Sequence, residues 1–184
     1  MGFIRSIALV TVTFFVISGC ATSRRIDITG IPNFYLNPPS ADDAMYGVGD
    51  ARMSSLSTSR TIALSRARDD IARQVEVLVK SVITDYAQEA GAGNNRQAIE
   101  FTETVSRQLV EVTLCGLKTK EVAVGKTGSV YAMVEYPINS LILAANETFI
   151  RNQAAAFAEF NADEALEMLD LELDNNPPRA GGGQ

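Results

Sequence analysis

Several short stretches of this chain carry residue types that hold phosphate or metal in other proteins. GVGDAR at 47–52 supplies the first two glycines of a dinucleotide loop after a strand-like segment. The third glycine of that loop must be small so that helix and strand can approach, and Arg52 stands in its place. Gly47 and Gly49 are therefore read as a strand exit that lets a long helix pack closely. Gly125-Lys126-Thr127 ends like a phosphate loop, but Lys120 occupies the leading glycine position and a β-rich run follows. A phosphate loop needs a helix there, with its free amides facing the anion, so this stretch reads as a hairpin tip. Asp170, Glu172 and Asp174 alternate like the start of a calcium loop, yet Asn175 and Gly181 stand where its glycine and glutamate belong. A solvated helix end is the expectation. The adjacent carboxylates Asp42/Asp43 and Asp69/Asp70 point different ways on a helix, with Arg66, Arg68 and Arg73 nearby to balance the second pair. They read as a charged, wet face.

Histidine is absent from all 184 residues. This removes Ser-His-Asp and Cys-His catalysis and every histidine-containing metal site. The two cysteines, Cys20 and Cys115, are too few for a thiolate zinc site. With a net charge of −6, the chain does not suit nucleic acid, which calls for a basic patch. No catalytic, cofactor-binding or metal-ligating residue is assigned, and no enzymatic activity is expected.

Cys20 has a different chemistry. Arg5 is the only charge before it, and Ser6 to Ile17 is apolar or small. A bilayer-spanning helix needs ~20 such residues, so the run is a signal-peptide core rather than a span. It ends on Ser18-Gly19-Cys20, which resembles the lipobox of bacterial lipoproteins. That resemblance implies diacylglycerylation of the thiol, cleavage before Cys20 and acylation of the new amine. Two or three acyl chains anchor a protein stably where one does not. Cys115 is then the remaining thiol. It is expected as buried filler at the sheet edge, with an intermolecular disulfide as the alternative.

Five segments follow from the pattern: a signal peptide (1–19), a membrane tether (20–44), an α+β domain (45–137), a helical extension (138–173) and a tail rich in Pro and Gly (174–184) read as disordered. Phe34 and Tyr35 in the tether are candidates to dock on the domain. A strand is read at 44–48. A helix from about Leu56 to Ala90 follows, with Leu64, Ala67, Ile71, Val75, Leu78, Val82 and Tyr86 on one face. A second helix is read over 97–112 with Ile99, Val105 and Leu109 facing in. Alternating runs at 117–124 and 129–136 around GKTG predict a hairpin. A third helix from Pro137 continues to about Phe160, its stripe of Leu141, Ala145, Phe149, Phe157 and Phe160 covering the other face of the sheet. Asn161 and Glu164 fit a capping pair from which the helix restarts, running to Leu173.

The order of NFYLNPP, YGVGDA, the long helix SRTIALSRARDDIARQVEVLVKSVI and a hairpin ending in VYAMVEYP resembles the LPP-twenty lipoproteins and the related amino-terminal domain of flagellar assembly protein T. The likeness covers about 33–137. It implies a small antiparallel sheet packed against a long helix, similar to the dodecin-like β-α-α-β-β arrangement, here with an additional C-terminal helix. It also implies a place in the cell envelope, mostly the outer membrane, with some members tied to motility or host contact. Ala21, where aspartate marks inner-membrane retention in many bacteria, is compatible with outer-membrane transport. The expected function is a non-enzymatic structural or protein-interaction module, partnered by the membrane through Cys20 and by envelope proteins or further copies of itself. The alternative is a small-ligand-binding module formed by self-assembly.

Overall fold

The computed structural model describes residues 30–41 and 43–179. Cys20, the leader, Asp42 and the last five residues lie outside the described residues. The chain folds as α+β: a short helix α1 (Asn33–Leu36), strand β1 (Ala44–Ala51), long helix α2 (Leu56–Glu89), α3 (Arg96–Gly116), strands β2 (Lys118–Val124) and β3 (Val130–Pro137), then α4 (Ile138–Asn152) and α5 (Ala162–Asn175). The sheet order is β1-β3-β2, and both outer strands run antiparallel to β3. Ala51 and Val124 both face Val130, so the hairpin turn and the exit of β1 share one end of the sheet.

Helix α2 starts where Ser55 Oγ accepts from the Thr58 amide, one of the amides a first helical turn leaves without a partner. At 34 residues it is ~51 Å long. Its buried stripe is Ala63, Ala67, Ile71, Val75, Val79, Val82, Ile83, Tyr86 and Ala87, with Leu64 and Leu78 half-buried at the margin. The first half lies on the sheet and the second half on α3 and α5. Asn95 Oδ1 caps α3 through the Gln97 amide. Ala98, Phe101, Val105 and Leu109 form the inward stripe of α3, and Ile99, expected inside, is one step off it and 56% exposed.

Strand β1 runs past the expected Val48 to Ala51, so both glycines lie within it. Their side of the sheet faces α2, with Met45, Ala51, Val130, Ala132, Val134 and Tyr136 in the main core. A Cβ on Gly47 would collide with the Ala67 carbonyl oxygen, and one on Gly49 with that of Ala63. The glycines thus bring helix and strand backbones into contact.

The opposite sheet face corrects an expectation. It is covered by Phe34, Ile31, Tyr35 and Ala41 over Ala44, Tyr46, Tyr131 and Met133, not by the third helix. Helix α4 packs instead with α3 and α5. It also ends earlier than expected, at Asn152, whose Nδ2 donates to the Thr148 carbonyl and to Gln108 Oε1. Beyond a short 3₁₀ turn at Gln153–Ala155, the chain leaves the helix axis. Phe157 and Phe160 then join Phe101, Phe149 and Tyr86 in one aromatic cluster with ring centroids 4.5–6.2 Å apart. Such pairs contribute ~0.5–1.5 kcal/mol each beyond their area. Helix α5 restarts as expected: Asn161 Oδ1 accepts from the Asp163 and Glu164 amides. Tyr86 Oη locks this restart by donating toward Glu159 O and Glu164 Oε2 while accepting from the Asn161 amide.

Replacing glycine by alanine at a compatible site stabilises a protein by ~0.4–1 kcal/mol through the unfolded chain. Gly47→Ala and Gly49→Ala are expected to act with the opposite sign, each lowering unfolding free energy by ~2–3 kcal/mol through overpacking. Urea denaturation of each variant reads this directly, and a midpoint at or above wild type would remove the close-packing role.

Candidate functional site

Alternate backbone groups of β1 point away from β3, and an uncovered edge of this kind recruits other strands. Helix α2 covers it with three polar side chains spaced four apart. Gln74 Nε2 donates to Tyr46 O at 2.9 Å, Asp70 Oδ2 accepts from the Val48 amide at 3.0 Å, and Arg66 Nη1 donates to Asp50 O at 2.6 Å. Four helical residues rise ~6.0 Å and two strand residues ~6.8 Å, so the two ladders stay in step across all three bonds. Asp70 is 3% exposed, and its second oxygen meets Arg73 at 3.3 Å. The reading of Asp69/Asp70 as a wet face therefore fails at Asp70. Periodic polar residues at 66, 70 and 74, read against the glycine strand rather than against one another, were the signal for it. Lys80 pairs with Glu76 one turn back along α2 and with Glu103 of α3.

Asp50 also reaches the other face, where its Oδ1 accepts from Tyr35 Oη at 2.8 Å. The Tyr35 ring stands edge-on to Tyr131, centroids 4.9 Å apart. Burial, the hydrogen bond to Asp50 and the Asp50 charge together push the Tyr35 phenol up to about 12. Phe34 and Tyr35 thus dock as the sequence suggested, and they clasp residues 31–41 to the sheet.

The GKT stretch is a hairpin tip. The Gly125 amide donates to Ser129 O, the Gly128 amide donates to Gly125 O, and Gly128 has φ +81°, open to glycine at little cost. Strand β3 follows, with no helical amides aimed at an anion. Gly30 is buried against this tip: a Cβ there would meet the methylenes of Lys126, and one on Gly125 would meet Gly30 O. The chain therefore enters the described fold at the hairpin end of the sheet.

Asp170, Glu172 and Asp174 lie on α5, where Glu172 Oε1 accepts from Asn176 Nδ2. Among the described residues, no group of three or more Cys, Asp or Glu side chains is placed to hold a metal ion. Cys115 is exposed in the last turn of α3, which overturns the expectation of buried filler. The stripe of α3 ends inward at Thr113, and two further residues around the helix carry the thiol to the outside. Among the described residues, two of the open surfaces suit a protein partner. One is the outer edge of β2, whose residues are exposed or half-buried. The other is the outward face of α4, where Leu143 is 66% and Ile150 56% exposed one heptad apart. A shallow groove of about 370 Å³ lies between α2 and the end of α5, with Val77, Leu78 and Pro178 among its walls.

A family model described as LPP20 lipoprotein matches residues 32–136, from the docking segment through the end of the hairpin. No curated protein and no solved structure matches the chain.

Three measurements follow from this geometry. Asp70→Ala leaves the Val48 amide without its acceptor and should cost ~1–3 kcal/mol in chemical denaturation. Cys115 should react with a maleimide in the native protein as fast as in denaturant. In an alkaline ultraviolet titration, Tyr35→Phe should delete a component near pH 12. Because folding raises this phenol above its ordinary value of 10.0, its contribution to stability is present below pH 10 and lost as pH rises through about 12.

Proposed function

The chain belongs to the LPP20 lipoprotein family, and from that premise we propose an envelope protein that acts through contacts rather than catalysis, held to a membrane by acyl chains on Cys20. One observation carries the non-catalytic reading. The residues whose types most suggest chemistry are committed to holding the fold: Gly47 and Gly49 seat a helix, Asp70 and Gln74 close a strand edge, and the GKT tip turns a hairpin. Structural groups of this kind leave function to surfaces. The β2 edge and the Leu143/Ile150 face of α4 are where a partner protein or a second copy would bind. β-strand addition gives affinity through backbone hydrogen bonds, and Lys118 and Lys120 on β2 guard that edge against indiscriminate pairing.

Ala21 after Cys20 supports onward transport to the outer membrane. The likeness to the amino-terminal domain of flagellar assembly protein T adds motility to the processes in which partners are sought.

Cys20→Ala is expected to accumulate as an uncleaved precursor without acyl chains, read by mass spectrometry of the membrane fraction. Normal processing and acylation of that variant would overturn the anchor. Crosslinking of intact cells, followed by identification of what is joined to residues 33–173, separates an adaptor from a self-assembling module.

A further inference from the structure

The end of the sheet at which the chain enters differs in charge from the rest of the molecule. Between Ala51 and Arg68 there is no acidic residue, and between Val122 and Val134 there is none either. Arg52, Arg60 and Lys126 are exposed there. Arg52 adjoins Met53, Arg60 lies one helical turn beyond Leu56, and Lys126 is two residues past Val124; these apolar residues are 42%, 58% and 51% exposed. Helix α2 starts at this end because Ala63 and Ala67 lie against Gly49 and Gly47 while β1 runs the other way. The opposite character is found on α5, which carries Asp163, Glu164, Glu167, Asp170, Glu172 and Asp174 and no basic residue. That helix begins beside Tyr86, thirty residues and ~45 Å along α2 from Leu56.

We propose that the hairpin-tip end, through Arg52, Arg60 and Lys126 with Met53, Leu56 and Val124 among them, is a seat for an anionic lipid surface. The inference rests on the membrane anchoring proposed above and adds an orientation to it. Gly30 is buried under Lys126, and Cys20 is ten residues upstream, a span of at most ~33–36 Å. An anchor at Cys20 therefore draws this end toward the bilayer before any other. Three side chains near an anionic surface each favour it about fivefold, and the exposed apolar residues suit the interfacial boundary. The acidic helix α5, which runs from Tyr86 back along α2 to the neighbourhood of Gln74 and Ile138, is repelled by the same surface and disfavours orientations that turn it to the bilayer.

The test uses the full acylated chain, purified in detergent and inserted into vesicles of phosphatidylcholine with or without phosphatidylglycerol. In a Cys115→Ala background, a fluorophore is placed through Thr127→Cys at the tip or Asn94→Cys at the far end. Spin-labelled lipid headgroups then quench what lies at the surface. On vesicles containing phosphatidylglycerol, quenching at 127 should exceed that at 94 severalfold, and by more than on phosphatidylcholine alone. The ratio should fall toward unity in molar salt, where the Debye length drops to ~3 Å. It should fall likewise in the combined variant Arg52→Glu/Arg60→Glu/Lys126→Glu. Equal quenching at the two positions while the protein floats with the vesicles would overturn the seat and leave the anchor standing. A ratio unchanged by salt or by phosphatidylglycerol would overturn it as well. If the acylated chain does not float with vesicles at all, the anchoring reading fails, and the seat with it.

Discussion

Helix α2 can serve as the frame of this protein because two glycines let its backbone touch β1. At ordinary helix–sheet separation, a side chain as short as aspartate could not span from the helix to the strand edge. With Gly47 and Gly49 bare, Asp70 reaches the Val48 amide, and Gln74 and Arg66 reach the carbonyls on either side. A hydrogen bond to a charged group is worth ~1.5–3 kcal/mol, and three bonds in step also fix the helix against sliding along the strand. The same contact closes one edge of the sheet, so among the described strands only β2 presents an open one.

The second half of α2 extends past the sheet, and the rest of the chain is arranged to use it. Helices α3, α4 and α5 gather there around Phe101, Phe149, Phe157 and Phe160. Tyr86 gives that apolar cluster a polar fixing point: its ring packs on Phe157 and Phe160, and its hydroxyl holds the backbone where α5 begins. The family match ends at residue 136, just before α4 begins at Ile138, so both helices that complete this half of the core lie beyond the matched residues.

Much of this was legible in the sequence because it is local. The 3.6-residue period of α2, the polar turn of the hairpin, the Asn161 cap and the glycines in place of a complete nucleotide loop are all properties of neighbouring residues. The errors fall where a residue's fate depends on elements far away in sequence. Asp70 looks like its neighbour Asp69 until the β1 edge, more than twenty residues earlier, is brought against it. Phe157 and Phe160 continue the spacing of the α4 stripe, yet they are buried by leaving that helix for an aromatic cluster assembled from α2 and α3. Cys115 lies two residues beyond buried Thr113, and a turn of the helix, which spacing in the sequence does not phase, decides which of them faces out. The cover on the second face of the sheet was misassigned to α4 because Phe34 and Tyr35 sit in a segment whose composition is that of a linker.

That segment has a mechanical consequence. It enters at the hairpin end, crosses the sheet face and joins β1 at the far end, held by Phe34, Tyr35 and a few smaller contacts. Tension applied from upstream of Gly30 meets this clasp first, in series with the core. Peeling it away would free the fourteen residues from Gly30 to Asp43, whose extended length of ~45–50 Å is about twice the length of the eight-residue strand β1 they run beside, before any strand of the sheet is loaded. A body tethered in this way yields to a short pull by lengthening its leash, and its long helix and sheet stay intact while it does.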